Sequence, residues 1–248
     1  MQKKILSLLL ALLLLLTLSA CKQPPEPTPP DNGPVEPNPA PETPLEPEET
    51  VYKSGTIDGT DITWEVHYDR TLYVNGTGAL PDFDSHLDQP WSEHGGKTAS
   101  ERSDDEGGTV LVNKIVIGEG ITALSYNAFS EFHPLTEVIL PSTLQTISYK
   151  AFYGCPNLKT VVGGLGVVTI EAEAFRNCNS LERIVLTPLL EMVEMSAFGS
   201  VIPNGSTRKL TLSIVGTEVD WLESAAQREI EQDNAAFENA TIVYFQAS

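Results

Sequence analysis

The chain has 248 residues, with 34 acidic and 15 basic side chains, a formal charge of −19 and 18 prolines. That acidity disfavours nucleic acid and anionic lipid head groups as partners, because each phosphate contact needs a local cation. The averages conceal three unlike segments. Residues 1–20 carry two lysines and no acid, residues 22–50 carry seven acids and one lysine, and residues 51–248 carry 27 acids against 12 bases, with length enough for one sizeable domain.

At the N-terminus Lys3 and Lys4 precede an apolar run from Ile5 to Leu16. The run has roughly half the length of about 20 residues that a spanning helix needs, so residues 1–20 read as a cleaved export signal. Leu18-Ser19-Ala20-Cys21 resembles the bacterial lipobox, which implies lipid attachment at Cys21. Buried acyl methylenes contribute about 0.8 kcal/mol each, so the lipid holds the chain on a membrane without a spanning helix. Lys22 stands where an Asp would signal retention at the inner membrane. The expected address is therefore that of an exported bacterial lipoprotein of the outer membrane and cell surface. Residues 21–50 follow as a lipid-anchored Pro/Glu-rich linker. Eleven of the prolines lie there among acids, a composition that favours a semi-rigid stalk of up to about 90 Å.

Residues 51–111 read as an N-terminal β cap. Ile62 to Tyr68 alternates with period two, Asp69-Arg70 can turn, and Thr71 to Gly76 returns as the second arm of a hairpin. Gly- and Ser-rich residues 95–109 are expected to be a mobile insertion.

Beyond it lies a repeat. Ala-Phe pairs stand at 128/129, 151/152, 174/175 and 197/198, always 23 residues apart. The same register holds for Ile115, Val138, Val161 and Ile184, for Leu124, Ile147, Ile170 and Val193, and for Phe132, Cys155, Cys178 and Val201. The row Ile117, Leu140, Gly163 and Leu186 is broken only by its glycine. Leu135, Leu158 and Leu181 open successive units. A unit of this size cannot bury its own apolar face, so neighbours stack and share a core.

The second unit, Leu135 to Asn157, resembles the BspA-like class of bacterial surface leucine-rich repeats. Gly76 to Pro81 and Pro90-Trp91 are similar to the segment that precedes such arrays. The fold class implied is β-rich α+β: a short leucine-rich-repeat solenoid of about four 23-residue units over residues 112–201, with an N-terminal β-hairpin cap and an α/β C-terminal cap at 202–248. In that cap Leu210 to Val215 reads as a strand, Asp220 to Gln232 as a helix with Asp220 at its N-cap, and Ala240 to Phe245 as a closing strand. Proteins of this class are bacterial surface antigens associated with adhesion, which implies a host matrix or cell-surface protein as partner.

Catalytic chemistry finds little support. Cys155 and Cys178 fall in one slot of adjacent units, where either a disulfide or two free core thiols fit; Phe132 and Val201 in the same slot favour an apolar role. Asp82, Asp84, His86, Asp88 and Glu93 follow calcium-loop spacing, but Leu87 stands where that loop needs Gly, so a solvated acidic loop is expected and no metal. No cofactor fingerprint or catalytic motif occurs, and paired carboxylates are too numerous in so acidic a chain to indicate a glycosidase.

The candidate binding face comes from strand alternation. Val116, Ile139, Val162 and Val185 lie between the inward residues of each unit and should form an outward apolar stripe, flanked by Lys114, Glu137, Thr160 and Arg183. The preference of β-branched residues for strands accounts for the same residues without a ligand. A glycan-binding lipoprotein would instead use exposed aromatics, for which Trp91, Tyr126, Tyr149 and Trp221 are the candidates; a spacer without a specific ligand would use neither.

Overall fold

The computed structural model describes residues 50–95, 109–203, 205–225 and 229–246. The signal segment, Cys21, the Pro/Glu-rich linker up to residue 49 and nearly all of the expected insertion lie outside them.

Two sheets run along the molecule. The longer has nine strands in the order β1 (Val51–Thr56), β2 (Thr63–His67), β3 (Thr71–Asn75), β5 (Lys114–Ile117), β7 (Glu137–Leu140), β9 (Thr160–Gly163), β11 (Arg183–Leu186), β13 (Thr211–Val215) and β15 (Thr241–Phe245). The shorter has six: β4 (Gly78–Ala79), β6 (Ile121–Leu124), β8 (Thr146–Ile147), β10 (Thr169–Ile170), β12 (Met192–Val193) and β14 (Glu229–Ile230). Each 23-residue unit gives one strand to each sheet, and the repeat strands pair in parallel, Ile115 with Val138 and Val138 with Val161. The fold is a leucine-rich-repeat solenoid.

The period of two in the sequence becomes burial. Ile115, Val138, Val161 and Ile184 are buried on the long sheet, and Leu124, Ile147, Ile170 and Val193 on the short one. Leu135, Leu158 and Leu181 close the core at the start of each unit. Between the sheets the Ala-Phe pairs build a column of rings. Trp91, Phe129, Phe152, Phe175 and Phe198 stack face to face with centroids 5.2, 5.6, 5.4 and 5.3 Å apart, and Phe237 continues the column at 5.3 Å. The amide of each Phe donates across to the next unit, Phe129 to the Ala151 carbonyl, Phe152 to Ala174 and Phe175 to Ala197, each at 2.8 Å.

Every unit reverses direction at two left-handed positions. Asn127, Lys150, Glu173 and Ser196 precede the Ala-Phe pair, and Glu131, Gly154, Asn177 and Ser200 follow it, all with positive φ. A residue with a Cβ costs about 1–2 kcal/mol there, a cost offset by the inter-unit hydrogen bonds.

The hydrogen-bonded ladder extends beyond the residues that keep the 23-residue period. The expected hairpin forms as β2 and β3, but β3 also pairs in parallel with β5, and Trp91 fills the place of the repeat Phe while its indole N–H donates to the Ala128 carbonyl at 3.0 Å. At the other end β13 and β15 continue the long sheet, β14 continues the short one, and Ala236-Phe237 supplies a further Ala-Phe pair. β1 was not expected: its Lys-Ser-Gly centre lacks an apolar alternation, and it forms by antiparallel pairing with β2.

The expected helix from Asp220 to Gln232 is corrected. The helix α1 (Glu218–Ala225) begins earlier, because Thr217 is its cap: the Asp220 amide donates to the Thr217 hydroxyl, and the Asp220 carboxylate accepts from the Thr217 amide and hydroxyl. Past α1, Glu229 and Ile230 are drawn into the short sheet, and a separate turn of helix, α2 (Ala235–Glu238), carries Phe237 into the column. Both edges of the long sheet are defined: β1 carries an irregular register at Val51/Lys53, whereas β15 is regular, uncharged and exposes Ile242, Val243 and Phe245.

Candidate functional site

The long sheet places all eight expected residues on its outward side. Val116 pairs with Ile139 and Ile139 with Val162, and Val185 follows one strand further on, each half-buried while the residues on either side in the strand are turned into the core, except at Gly163 beside Val162. The flanking row runs through Lys114, Glu137, Thr160 and Arg183, in register across four adjacent strands. Lys114 and Glu137 pair at 3.2 Å, which neutralises them against each other; Arg183 is exposed.

The structure lengthens this row, though not as one accessible surface. Tyr73 on β3 pairs with Val116, Ser213 on β13 stands beside Val185 but is itself buried, and Val243 on β15 pairs with Ser213. The spacing between these strands is not 23 residues, so the repeat register does not reach them. The alternation of Thr71-Leu72-Tyr73-Val74 and Thr211-Leu212-Ser213-Ile214 was the available signal. The row is apolar through four strands, bounded by an aromatic residue on one side and a hydroxyl on the other.

The expected aromatic candidates divide. Trp91 and Trp221 are buried, which removes both indoles from any exposed platform. Tyr126 and Tyr149 lie on the turn side of the short sheet and stack on each other at 5.3 Å, with the Lys150 ammonium 4.8 Å from the Tyr149 ring. A hydrogen bond with Tyr149 raises the Lys150 pKa, holding the ammonium charged.

Cys155 and Cys178 are free and fully buried. Their thiols donate to the carbonyls of Phe129 and Phe152, at 3.2 and 3.1 Å, and burial pushes the Cys155 pKa well up, which suits a core group and not a nucleophile. Among Asp82, Asp84, His86, Asp88 and Glu93, Asp82 caps the amide of Tyr126 and Glu93 pairs with Lys53. The described residues contain no group of three or more side chains placed to hold a metal ion.

Other shifted groups serve the scaffold. The Glu119 carboxylate is held below its ordinary range chiefly by the Ser142 amide, with the Ser142 hydroxyl also donating, so it ties one unit to the next. Glu171, Glu194 and Glu231 repeat the device on the short-sheet side, accepting from the amides of Tyr149, Ala172 and Met195. His94 is buried beneath β1 with its Nδ1 against the Val110 carbonyl at 2.8 Å, and burial lowers its pKa, keeping the ring neutral. Glu93 is held low chiefly by the hydrogen bond from Lys53. A surface cleft of about 500 Å³ lies between the 201–209 loop and α2, with Lys209 at its rim.

Sequence and fold now define the class: residues 108–212 match the model of the BspA type leucine rich repeat region, in six copies. The repeat array of this chain is of the BspA leucine-rich type. Among solved structures, it is similar to a leucine-rich repeat protein from Eubacterium ventriosum, at 18% identity over 66% of this chain and 44% of that one, with a TM-score of 0.49. It is also similar to the pneumococcal vaccine antigen PcpA, at 14% identity over 82% and 49% of the two chains (TM-score 0.41), and to a leucine rich cell surface protein from Faecalibacterium prausnitzii, at 18% over 68% and 41% (TM-score 0.36). The chain thus spans less than half the length of each of these three. No curated protein matches it.

Proposed function

We propose that this chain is a non-enzymatic binding or adhesion module of the bacterial surface, which meets a host matrix or cell-surface protein through the outward face of its long sheet. One observation carries the reading. Four β-branched side chains stand in one row across β5, β7, β9 and β11, half-exposed, with polar and charged residues beside them. An apolar row rimmed by polar groups on a rigid sheet supplies anchors for a partner's side chains and directional contacts around them. The glycan reading is weaker, because two of its four aromatic candidates are buried and the other two stack on each other.

The test is binding of the full chain to a panel of matrix proteins and glycans. Ile139→Gln with Val162→Gln should weaken binding to a matrix protein at least about tenfold, since loss of two central anchors removes more than about 1.4 kcal/mol. The thermal midpoint should stay nearly unchanged, because neither side chain is in the core. Retained affinity in this variant would sink the proposal, and silence on every member of the panel would favour a spacer without a specific ligand.

The surface location is part of the same proposal and rests on the lipobox-like Leu18-Ser19-Ala20-Cys21. No helix among the described residues is long and apolar enough to cross a membrane, so a lipid on Cys21 is the proposed anchor. Cys21→Ser should move the protein from the membrane to the soluble fraction; a variant that still sediments with membranes contradicts the lipid anchor.

A further inference from the structure

The basic side chains of this acidic chain are unevenly used. Among the described residues Lys53 pairs with Glu93, Lys114 with Glu137, and Lys150 and Arg176 with Glu173. Arg70 is bound to the Leu111 carbonyl and Arg208 to the carbonyls of Asn179, Leu181 and Val201. Three bases remain exposed with no ion pair or side-chain hydrogen bond among the described residues: Lys159, Arg183 and Lys209.

All three lie at one end of three neighbouring strands. Arg183 opens β11 and pairs in register with Thr160 of β9 and Thr211 of β13; Lys159 directly precedes β9, and Lys209 stands two residues before β13. Parallel strands put these starting ends side by side, about 4.8 Å apart per strand. Glu182 adjoins Arg183 in sequence, residues 199–217 contain no acid, and Asp233 lines the same cleft as Lys209, so three bases face two acids. The patch is therefore positive in a chain whose net charge is −19.

We infer that this patch is the charged end of the proposed binding face and accepts carboxylates from an acidic protein segment, whose apolar side chains then lie on Val162 and Val185. The inference rests on the long sheet being the binding face and adds the chemistry of the partner. Charge complementarity selects the partner: free cations form charge-assisted hydrogen bonds with carboxylates, and the guanidinium of Arg183 offers a two-pronged donor. The adjoining apolar row selects a polypeptide over a sulfated glycan, because a glycan has no aliphatic side chains to place on it. The strong negative charge of the rest of the molecule repels long polyanions, while a short segment with a few carboxylates meets only the patch.

The experiment titrates the full chain with a synthetic peptide in which Glu alternates with Val, at low and high salt, and in parallel with heparin and with phosphatidylglycerol vesicles. The expected result is peptide binding that weakens with salt. It should fall at least about tenfold in a variant carrying Lys159→Glu, Arg183→Glu and Lys209→Glu, and tighten in Glu182→Gln. All four positions are exposed, so folding should be unaffected. Unchanged affinity in the triple variant overturns the inference, as does preferential binding of heparin or vesicles, or no binding of the peptide at all. Ile139→Gln with Val162→Gln separates the two claims. If the peptide still binds that variant and loses only the triple variant, the carboxylate patch stands and the apolar stripe falls. If it loses the stripe variant and keeps the triple variant, the stripe stands and the patch falls.

Discussion

Phe152→Ala is expected to destabilise the domain by about 3–5 kcal/mol, read as a lower urea midpoint, and to do so more than Phe237→Ala. Phe152 is fully buried and stacked between Phe129 and Phe175, at 5.6 and 5.4 Å, so its removal opens a gap in the middle of the column and interrupts ring contact on both sides. Phe237 is the last ring and has a column neighbour on one side only, Phe198. In a solenoid each unit is stabilised by its neighbours, so a central gap weakens two interfaces and a terminal one weakens a single interface. Equal losses at the two positions would contradict the column as the source of cohesion.

The second large effect runs against the repeat pattern. In the row Ile117, Leu140, Gly163 and Leu186 the glycine looks like a defect that an apolar residue would mend. The structure predicts the opposite. Gly163 has φ +86°, and a Cβ added there would overlap the Leu140 carbonyl oxygen, which is backbone and cannot swing aside. Gly163→Leu should therefore cost more than about 2 kcal/mol, from left-handed strain together with displacement of the β7–β9 pairing. A variant with a raised melting temperature would show that the third unit can take the conformation of its neighbours.

That glycine marks the boundary of what could be read from the sequence. The 23-residue period gave the strands of both sheets, the inward ladders and the Ala-Phe column, because burial on a repeating backbone forces the same residue type into the same slot. The stripe was legible for the same reason, as the alternate positions of those strands. Features outside the period were not. Tyr73, Ser213 and Val243 join the outward row through strands at other spacings, and β1 forms only because β2 offers it an edge. The helix near 220 was legible in kind but not in extent. Thr217 and Asp220 cap each other and start it early, and pairing of Glu229 and Ile230 with β12 takes the following residues into the sheet. The left-handed positions carry Asn, Glu, Lys and Ser as well as Gly, so no residue type announces them, although they too recur every 23 residues.

Burial also explains why the aromatic side chains misled. An indole in a sequence reads equally as a ligand platform or as core, and here Trp91 takes the place of a repeat Phe while Trp221 fixes α1 to the core. The acids are informative once placed: Glu119, Glu171, Glu194 and Glu231 are bound to backbone amides of neighbouring units, so part of the negative charge belongs to the joints of the solenoid and not to a site.

The most direct measurement sets the two sheets of the molecule against each other. The full chain, the Ile139→Gln/Val162→Gln variant of the long sheet and a Thr146→Gln/Thr169→Gln variant of the short sheet are compared for binding to the same immobilised matrix proteins. Thr146 and Thr169 pair across β8 and β10 as Ile139 and Val162 pair across β7 and β9, so the two variants place the same new side chain at paired positions of different sheets. The account predicts loss of binding in the long-sheet variant alone. Loss in the short-sheet variant alone, with the long-sheet variant binding at full strength, would contradict it.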